Sequence, residues 1–240
     1  MPLNSLLRKL AIFAELKSEE VALLNDLTRD VRTTAARRDI ISEGDRPEHL
    51  HLIVQGWAAR YKTLPNGSRQ ITAFLLPGDF CDLHGKVLRE MDHSIVALAP
   101  CKVAWIASDE FDRLTIEHSD LTRALWWGTL VDEAILRDWI VNNSRRNAHQ
   151  RVAHLLCELH ARMQIIGLVE DDRLDLPLTQ NELADATGLT AVHVNRTLQR
   201  LRGDDLIELS RRVLTIKNVI ELEQVAGFDG AYLHIRRRAR

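Results

Sequence analysis

The side chains with the clearest chemical use lie in LTAVHVNRTLQRLR, residues 189–202. If this stretch is helical, Val194, Leu198 and Leu201 recur at core spacing. Ala191, Val192, Asn195, Arg196, Gln199 and Arg200 then point away from the core. Arginine can grip guanine bidentately, and asparagine or glutamine can grip adenine. Val192 is the odd member of the set, and a thymine methyl would give it a partner. The chemistry suggested is base reading in duplex DNA. The bland alternative is an ordinary polar face in a small helical domain.

The flanking elements supply what such a helix needs to be held out. Thr179 and Glu182 form a T-x-x-E capping box that predicts a helix from Gln180, with Leu178 and Leu183 closing a hydrophobic staple. Gly188 can take the left-handed conformation that ends this helix, and Thr190 caps the next one. Two capped helices across a glycine turn predict a helix-turn-helix, whose second helix normally enters the major groove. Beyond Gly203-Asp204-Asp205, LIELS and VLTIK read as two short strands joined through Ser210-Arg211-Arg212. Such a hairpin is a wing, with Arg211 and Arg212 placed to meet phosphate. Residues 191–217 hold six Arg/Lys against three Asp/Glu. Binding through phosphate neutralisation weakens steeply with salt.

The run T-x-x-E-L-A-x-x-x-G-L-T-x-x-x-V-x-R-x-L-x-x-L, followed by D-x-L-I and the hairpin, resembles the Crp/Fnr family of bacterial transcription regulators. That resemblance implies an α+β chain with an N-terminal β-roll (a jelly roll of the cyclic-nucleotide-binding type), a long dimerisation helix and a C-terminal winged helix-turn-helix. It further implies a homodimer on palindromic double-stranded DNA, helix 191–202 in the major groove and RNA polymerase as a further partner. Thr179, Thr190, Arg211 and Arg212 join residues 191–193, 195, 196, 199 and 200 as the expected DNA-contacting set. The best-known members read cytosine with a glutamate where Val192 stands, while Arg196 keeps the guanine-reading position. The divisions expected are a sensor-like roll with leading helices over 1–110, a connecting helix over 111–144, the winged helix over 145–225 and a basic tail over 226–240.

Composition is compatible with this layout. The 240 residues are 45% hydrophobic and 28% charged, enough for two modest cores. The net charge of −2 gives no hint of a polyanion partner. Cys81, Cys101 and Cys157 are too few and too scattered for a disulfide framework or a C-x-x-C zinc site, and they suit a reducing cytoplasm. The opening residues read as an amphipathic helix around Leu6, Leu10 and Phe13, then a helix capped by Ser18 that buries Val21, Leu24 and Leu27. Neither a signal peptide nor a membrane span is expected.

Glycines at 44, 56, 67 and 78 fall 11 to 12 residues apart among short apolar runs, as a roll of strand-turn units would place them. SIVALA and KVAWIA follow as a further strand pair. The E-G-D, Q-G and P-G-D-F steps match the family's roll, but its ligand residues do not carry over. Asp82 and Leu83 stand where cyclic-AMP-binding members have Gly and the ribose-holding Glu. His93 stands where they have the phosphate-holding Arg, with Asp92 beside it. A cyclic phosphate would lose its bidentate cation, so the effector is not cyclic AMP, and there is none at all if the roll only scaffolds the dimer. Asp82, Leu83, His84, His93 and Ser94 mark the altered pocket. No cysteine precedes Cys81, which argues against an iron–sulfur cluster, and no cofactor is expected.

Three further features invite other readings. His49-Leu50-His51 has the H-x-H spacing with which cupin enzymes begin a metal site, but Leu50, Leu52 and Val54 are the natural core set, which would turn both histidines outward. A cupin-like metal enzyme and a protein-binding module are the alternatives to a DNA-binding regulator. His154, Cys157 and His160 sit three apart on a helix expected from Arg145 to Gly167, and spread round it as a packed surface. Leu121, Ala124, Trp127, Gly128, Val131, Ala134 and Ile135 form the seam expected to meet a partner helix. Asn142-Asn143-Ser144 is the expected hinge, Val219–Val225 a last short helix, and HIRRRAR a basic tail that is either disordered or a phosphate contact.

Overall fold

The computed structural model describes residues 4–81, 83 and 90–235. These fall into two compact units, one formed by residues up to Gly67 with Thr72–Asp132, the other by Ser68–Ile71 and residues from Glu133 onward. In chain order, α1 (Asn4–Leu10) and α2 (Ser18–Leu27) precede a roll of β1 (Val31–Thr34), β2 (Asp39–Ile41), β3 (His49–Gln55), β4 (Ala58–Thr63), β5 (Arg69–Leu75, its first residues counted with the second unit), β6 (Ser94–Ala97) and β7 (Cys101–Ala107). The strands make two sheets, ordered β1-β7-β3 and β2-β6-β4-β5. SIVALA and KVAWIA are therefore not partners: β6 pairs with β2 and β4, and β7 with β1 and β3. The turn signals were right, but turns alone do not say which sheet a strand joins.

Two glycines fix close approaches in the roll. Gly56 has φ +92°, and a Cβ there would lie 2.5 Å from the Pro100 carbonyl oxygen. Gly78 has φ +88°, and its Cβ would fall 2.7 Å from the backbone nitrogen of Leu6. So α1 rests directly on the P-G-D-F turn, where Lys9 also pairs with Asp79. Helix α2 starts at Ser18, but Lys17 is its cap residue, its backbone N–H donating to the Glu20 carboxylate at 2.8 Å. Ser18 is thus a first-turn residue and not the cap.

β3 separates two cores. Leu50 and Leu52 join Leu6, Leu10, Leu24, Ile106, Leu121 and Leu125 beneath the helices. Ile53 faces the roll interior with Ile41, Leu75, Ile95 and Val103. His51 is 2% exposed and meets Trp105 edge-on, ring centroids 4.5 Å apart, with the Arg32 guanidinium 4.1 Å over the same indole. The expected outward orientation of the H-x-H pair is therefore corrected. β3 is covered on both faces, so His51 is buried and His49 half-buried beside Trp105. Among the described residues, no three His, Cys, Asp or Glu side chains converge to hold a metal ion.

Helix α3 (Ser108–Glu117) leads into α4 (Ser119–Arg145), which is continuous for 27 residues. The expected hinge at 142–144 is helical, because each polar side chain finds a partner compatible with helix. Ser144 Oγ donates to the Ile140 carbonyl at 2.6 Å, Asn142 Nδ2 to that of Arg151 at 3.2 Å, and Asn143 Nδ2 to that of Ala186 at 3.0 Å. The chain breaks at Arg146-Asn147 instead. There Asn147 and Gln150 form a reciprocal capping box for α5 (Ala148–Ile165). Part of the expected partner seam is covered within the chain itself. Leu121, Ala124, Ala134 and Ile135 are buried within their own chain, and Trp127 is half-buried, stacked on Phe13. The apolar side chains α4 leaves exposed are Trp126, Leu130, Leu136, Ile140 and Val141.

The second unit continues with β8 (Arg173–Asp175), α6 (Gln180–Thr187), α7 (Ala191–Gly203), β9 (Ile207–Ser210), β10 (Val213–Ile216), α8 (Val219–Ala226) and a 3-10 turn over Gly230–Leu233. β10 lies between β8 and β9. The expected tail from 226 is thus folded as far as it is described: Leu233 is buried, and the Tyr232 hydroxyl donates to Glu158 at 2.8 Å. The run of arginines after Ile235 lies outside the described residues. No helix among those described is long and apolar enough to cross a membrane.

Candidate nucleic-acid interface

The expected base-reading set is built from its caps outward. Thr179 Oγ1 accepts from the Glu182 N–H at 3.2 Å, and the Glu182 carboxylate accepts from the Thr179 N–H. Gly188 closes α6 with φ +65°, and Thr190 Oγ1 accepts from the His193 N–H at 3.2 Å to open α7. Both threonines keep an O–H free of their cap roles, since capping uses only the oxygen lone pairs. Val194, Leu198 and Leu201 are buried as the spacing predicts, and Thr197 joins them. Val192 (70% exposed), His193, Arg196, Gln199 and Arg200 project into solvent, with Ala191 and Asn195 half-exposed beside them. Arg200 lies 3.8 Å from Asp204, an exposed pairing weak enough to yield to a phosphate.

The wing is a two-residue hairpin. Ser210 pairs with Val213, and both turn residues have positive φ, 49° at Arg211 and 66° at Arg212. A type I′ turn requires this, and its usual occupants are Asn-Gly. Two arginines in left-handed backbone carry strain of the kind that persists where function holds it. The turn is also anchored, because the Arg212 carbonyl accepts from the Leu176 N–H at 2.7 Å. Both arginine side chains are exposed.

Sequence reasoning missed the residues that hold this unit in place. The final carbonyls of α6 have no partner within their helix. Arg151 on α5 reaches the Thr187 carbonyl at 2.8 Å and also donates to that of Arg146 at 3.1 Å, while Asn143 at the end of α4 holds the Ala186 carbonyl. A mid-helix arginine carries no sequence signal for such a role. Glu158 is fully buried and accepts from Trp139 Nε1 at 3.0 Å, from the Tyr232 hydroxyl and from Arg162 at 3.3 Å. Burial and the adjacent carboxylate raise the Tyr232 phenol above its ordinary range. His154, 1% exposed, stacks on Tyr232 and lies 3.0 Å from Asp138. Burial works to raise the Asp138 pKa, but His154 and then Arg146 outweigh it and hold it low. Cys157 and His160 are buried on the same helix. The three-apart residues of α5 are core.

Of the expected effector residues, Leu83, His93 and Ser94 are described. Asp82 and His84 lie outside the described residues, and Leu83 is half-buried. His93 Nδ1 is 2.6 Å from Asp92, whose pKa this hydrogen bond lowers against a smaller effect of burial. Ser94 Oγ accepts from the Glu43 N–H at 2.9 Å. Burial pushes the Cys101 thiol up to about 11 and the Cys157 thiol up as well, so neither is a ready thiolate. Cys81 is buried.

Comparison with known proteins follows the same division. Residues 31–118 match the cyclic nucleotide-binding domain, and residues 150–225 match the Crp-like helix-turn-helix domain. The transcriptional activator protein FnrL of Cereibacter sphaeroides is 28% identical over 227 residues, covering 93% of this chain and 90% of its own. The nitrogen fixation regulation protein FixK of Bradyrhizobium diazoefficiens is also 28% identical, over 92% of each chain. Among solved structures, FixK2 from Bradyrhizobium japonicum superposes with a TM-score of 0.75 at 24% identity, over 83% of this chain and 98% of that one.

Proposed function

The chain belongs to the Crp/Fnr family and is a DNA-binding transcription regulator, and we propose that it works as a cytoplasmic, non-catalytic homodimer on palindromic DNA with α7 in the major groove. One observation carries the reading: the polar face of α7 is held outward by a capped, glycine-turned frame, and the two strained arginines of the wing stand exposed in the same unit. A symmetric pair supplies the two recognition helices that a palindrome needs. Trp126, Leu130, Leu136, Ile140 and Val141 support the pairing, since α4 leaves them in solvent and a second copy would cover them.

Arg196 is assigned to guanine, and Val192 to a thymine methyl near it. Selecting preferred duplexes from a random pool should return inverted repeats. Arg196→Ala should weaken binding by about 1–3 kcal/mol and relax preference at one base pair per half-site. A variant that binds less tightly yet keeps the parent's base preference throughout would remove Arg196 from the base-reading set. Polar contacts to phosphate would then account for its effect.

A further inference from the structure

The first unit contains a cavity of about 460 Å³ bounded by β3, α3 and the first half of α4. Its apolar walls include Leu50, Phe111, Leu125, Trp126 and Leu130. Leu50 and Leu125 belong to the core beneath the helices, so the space lies outside the roll interior, which Ile41, Ile53, Leu75, Ile95 and Val103 fill. Of the described residues marked as the altered pocket, Leu83 reaches its wall, and His93 and Ser94 do not line it. Volume and lining both fall in the range of small-molecule sites.

We propose that this cavity between β3, α3 and α4 binds a neutral, largely apolar small molecule. The chemistry of the walls decides the class. Three threonines line it, and all three hydroxyls are already donated to helix carbonyls: Thr115 to Asp112 at 2.9 Å, Thr122 to Thr115 at 2.5 Å and Thr129 to Leu125 at 3.5 Å. With their protons committed, they can accept from a ligand N–H or O–H but have none to donate to an anion. Asp112, the one charged residue on the wall among the described residues, is exposed and has interactions of its own, and it disfavours an anion. Among the described residues, no cation lines the cavity to meet a nucleotide, a phosphate or a carboxylate. An aromatic or hydrocarbon compound matches the walls.

The site also has a route to function. Trp126 and Leu130 line the cavity and are among the exposed side chains of α4 that the homodimer reading gives to the partner copy. A molecule seated against them would shift pairing of the long helices, and through it DNA affinity. That coupling rests on the dimer reading, whereas occupancy of the cavity does not.

The test uses the full chain without DNA and the neutral fluorophore N-phenyl-1-naphthylamine, whose emission rises in apolar surroundings. Saturable binding of one probe per chain is expected, with energy transfer from tryptophan. Thr115→Phe, which fills the cavity from α3, should weaken binding at least tenfold, and Thr115→Val should leave it within twofold. Thr129→Phe fills the same space from α4 and gives an independent reading if Thr115→Phe fails to fold. No saturable binding, or equal affinity in the filled variants, overturns the proposal. So does binding seen only when Ile140→Asp has separated the copies, because a second chain would then be the natural occupant. DNA retention measured on the same preparations reports separately on the regulator reading.

Discussion

Glu158→Ala is expected to destabilise the C-terminal unit by about 3–5 kcal/mol, the usual result of removing one partner from a buried ion pair. The carboxylate is fully buried and gathers three donors from three places: Trp139 near the end of α4, Arg162 on α5 and Tyr232 in the 3-10 turn after α8. Alanine removes the carboxylate that faces Arg162 and that accepts from Trp139 Nε1 and the Tyr232 hydroxyl, and a lost buried acceptor carries a desolvation penalty for its donors. Domains carry roughly 5–15 kcal/mol in total, so the variant should sit near the edge of folding at physiological temperature. Glu158→Gln keeps an acceptor for Trp139 and Tyr232 but gives up the charge facing Arg162, and should fall between. Urea unfolding followed by tryptophan fluorescence and near-ultraviolet circular dichroism measures both. A loss below about 1 kcal/mol for alanine would mean that water replaces the carboxylate and that the C-terminal segment is not held through it.

The second large effect has opposite signs in two measurements. Exchanging Arg211-Arg212 for Asn-Gly should stabilise the fold by about 1–3 kcal/mol, because the turn then carries residues suited to positive φ. The same exchange should weaken DNA binding by roughly fiftyfold at 0.1 M salt and flatten the salt dependence by about two contacts, at ~0.9 logarithmic units per phosphate. Denaturation and a salt titration of binding, run on one protein, decide it. A more stable variant with an unchanged salt slope would show that the wing tip does not reach phosphate. A less stable one would show that the arginines relieve the turn through contacts of their own.

The second half was the more legible because its determinants are local. A capping box spans four residues, a glycine turn one, a type I′ hairpin four, and the helix period repeats within a single element. In the roll, glycine spacing announced strands and turns, but sheet membership depends on partners far along the chain. β6 and β7 are neighbours in sequence and belong to different sheets. The burial of His51 could not be read from alternation, since β3 is covered by helices on one face and by the roll interior on the other. The α4 seam is only partly decided by its spacing, for a related reason. Periodicity identifies a stripe but not its occupant, and most of the stripe packs on its own chain. At Asn142-Asn143-Ser144, propensity suggested weakness, whereas the stabilising acceptor for Asn143 lies 43 residues away.

The bonds from Asn143 and Arg151 to the last carbonyls of α6 have a mechanical corollary. The closing turn of the long helix cannot twist alone: it must either shed the Asn143 bond or carry with it the end of α6, which Arg151 of α5 also holds. Motion arriving there is geared to α6 without slack, and the natural output is a swing of the intact head rather than a local melting of its frame. Amide protons near Ala186 and Thr187 should then exchange in step with those around Asn143.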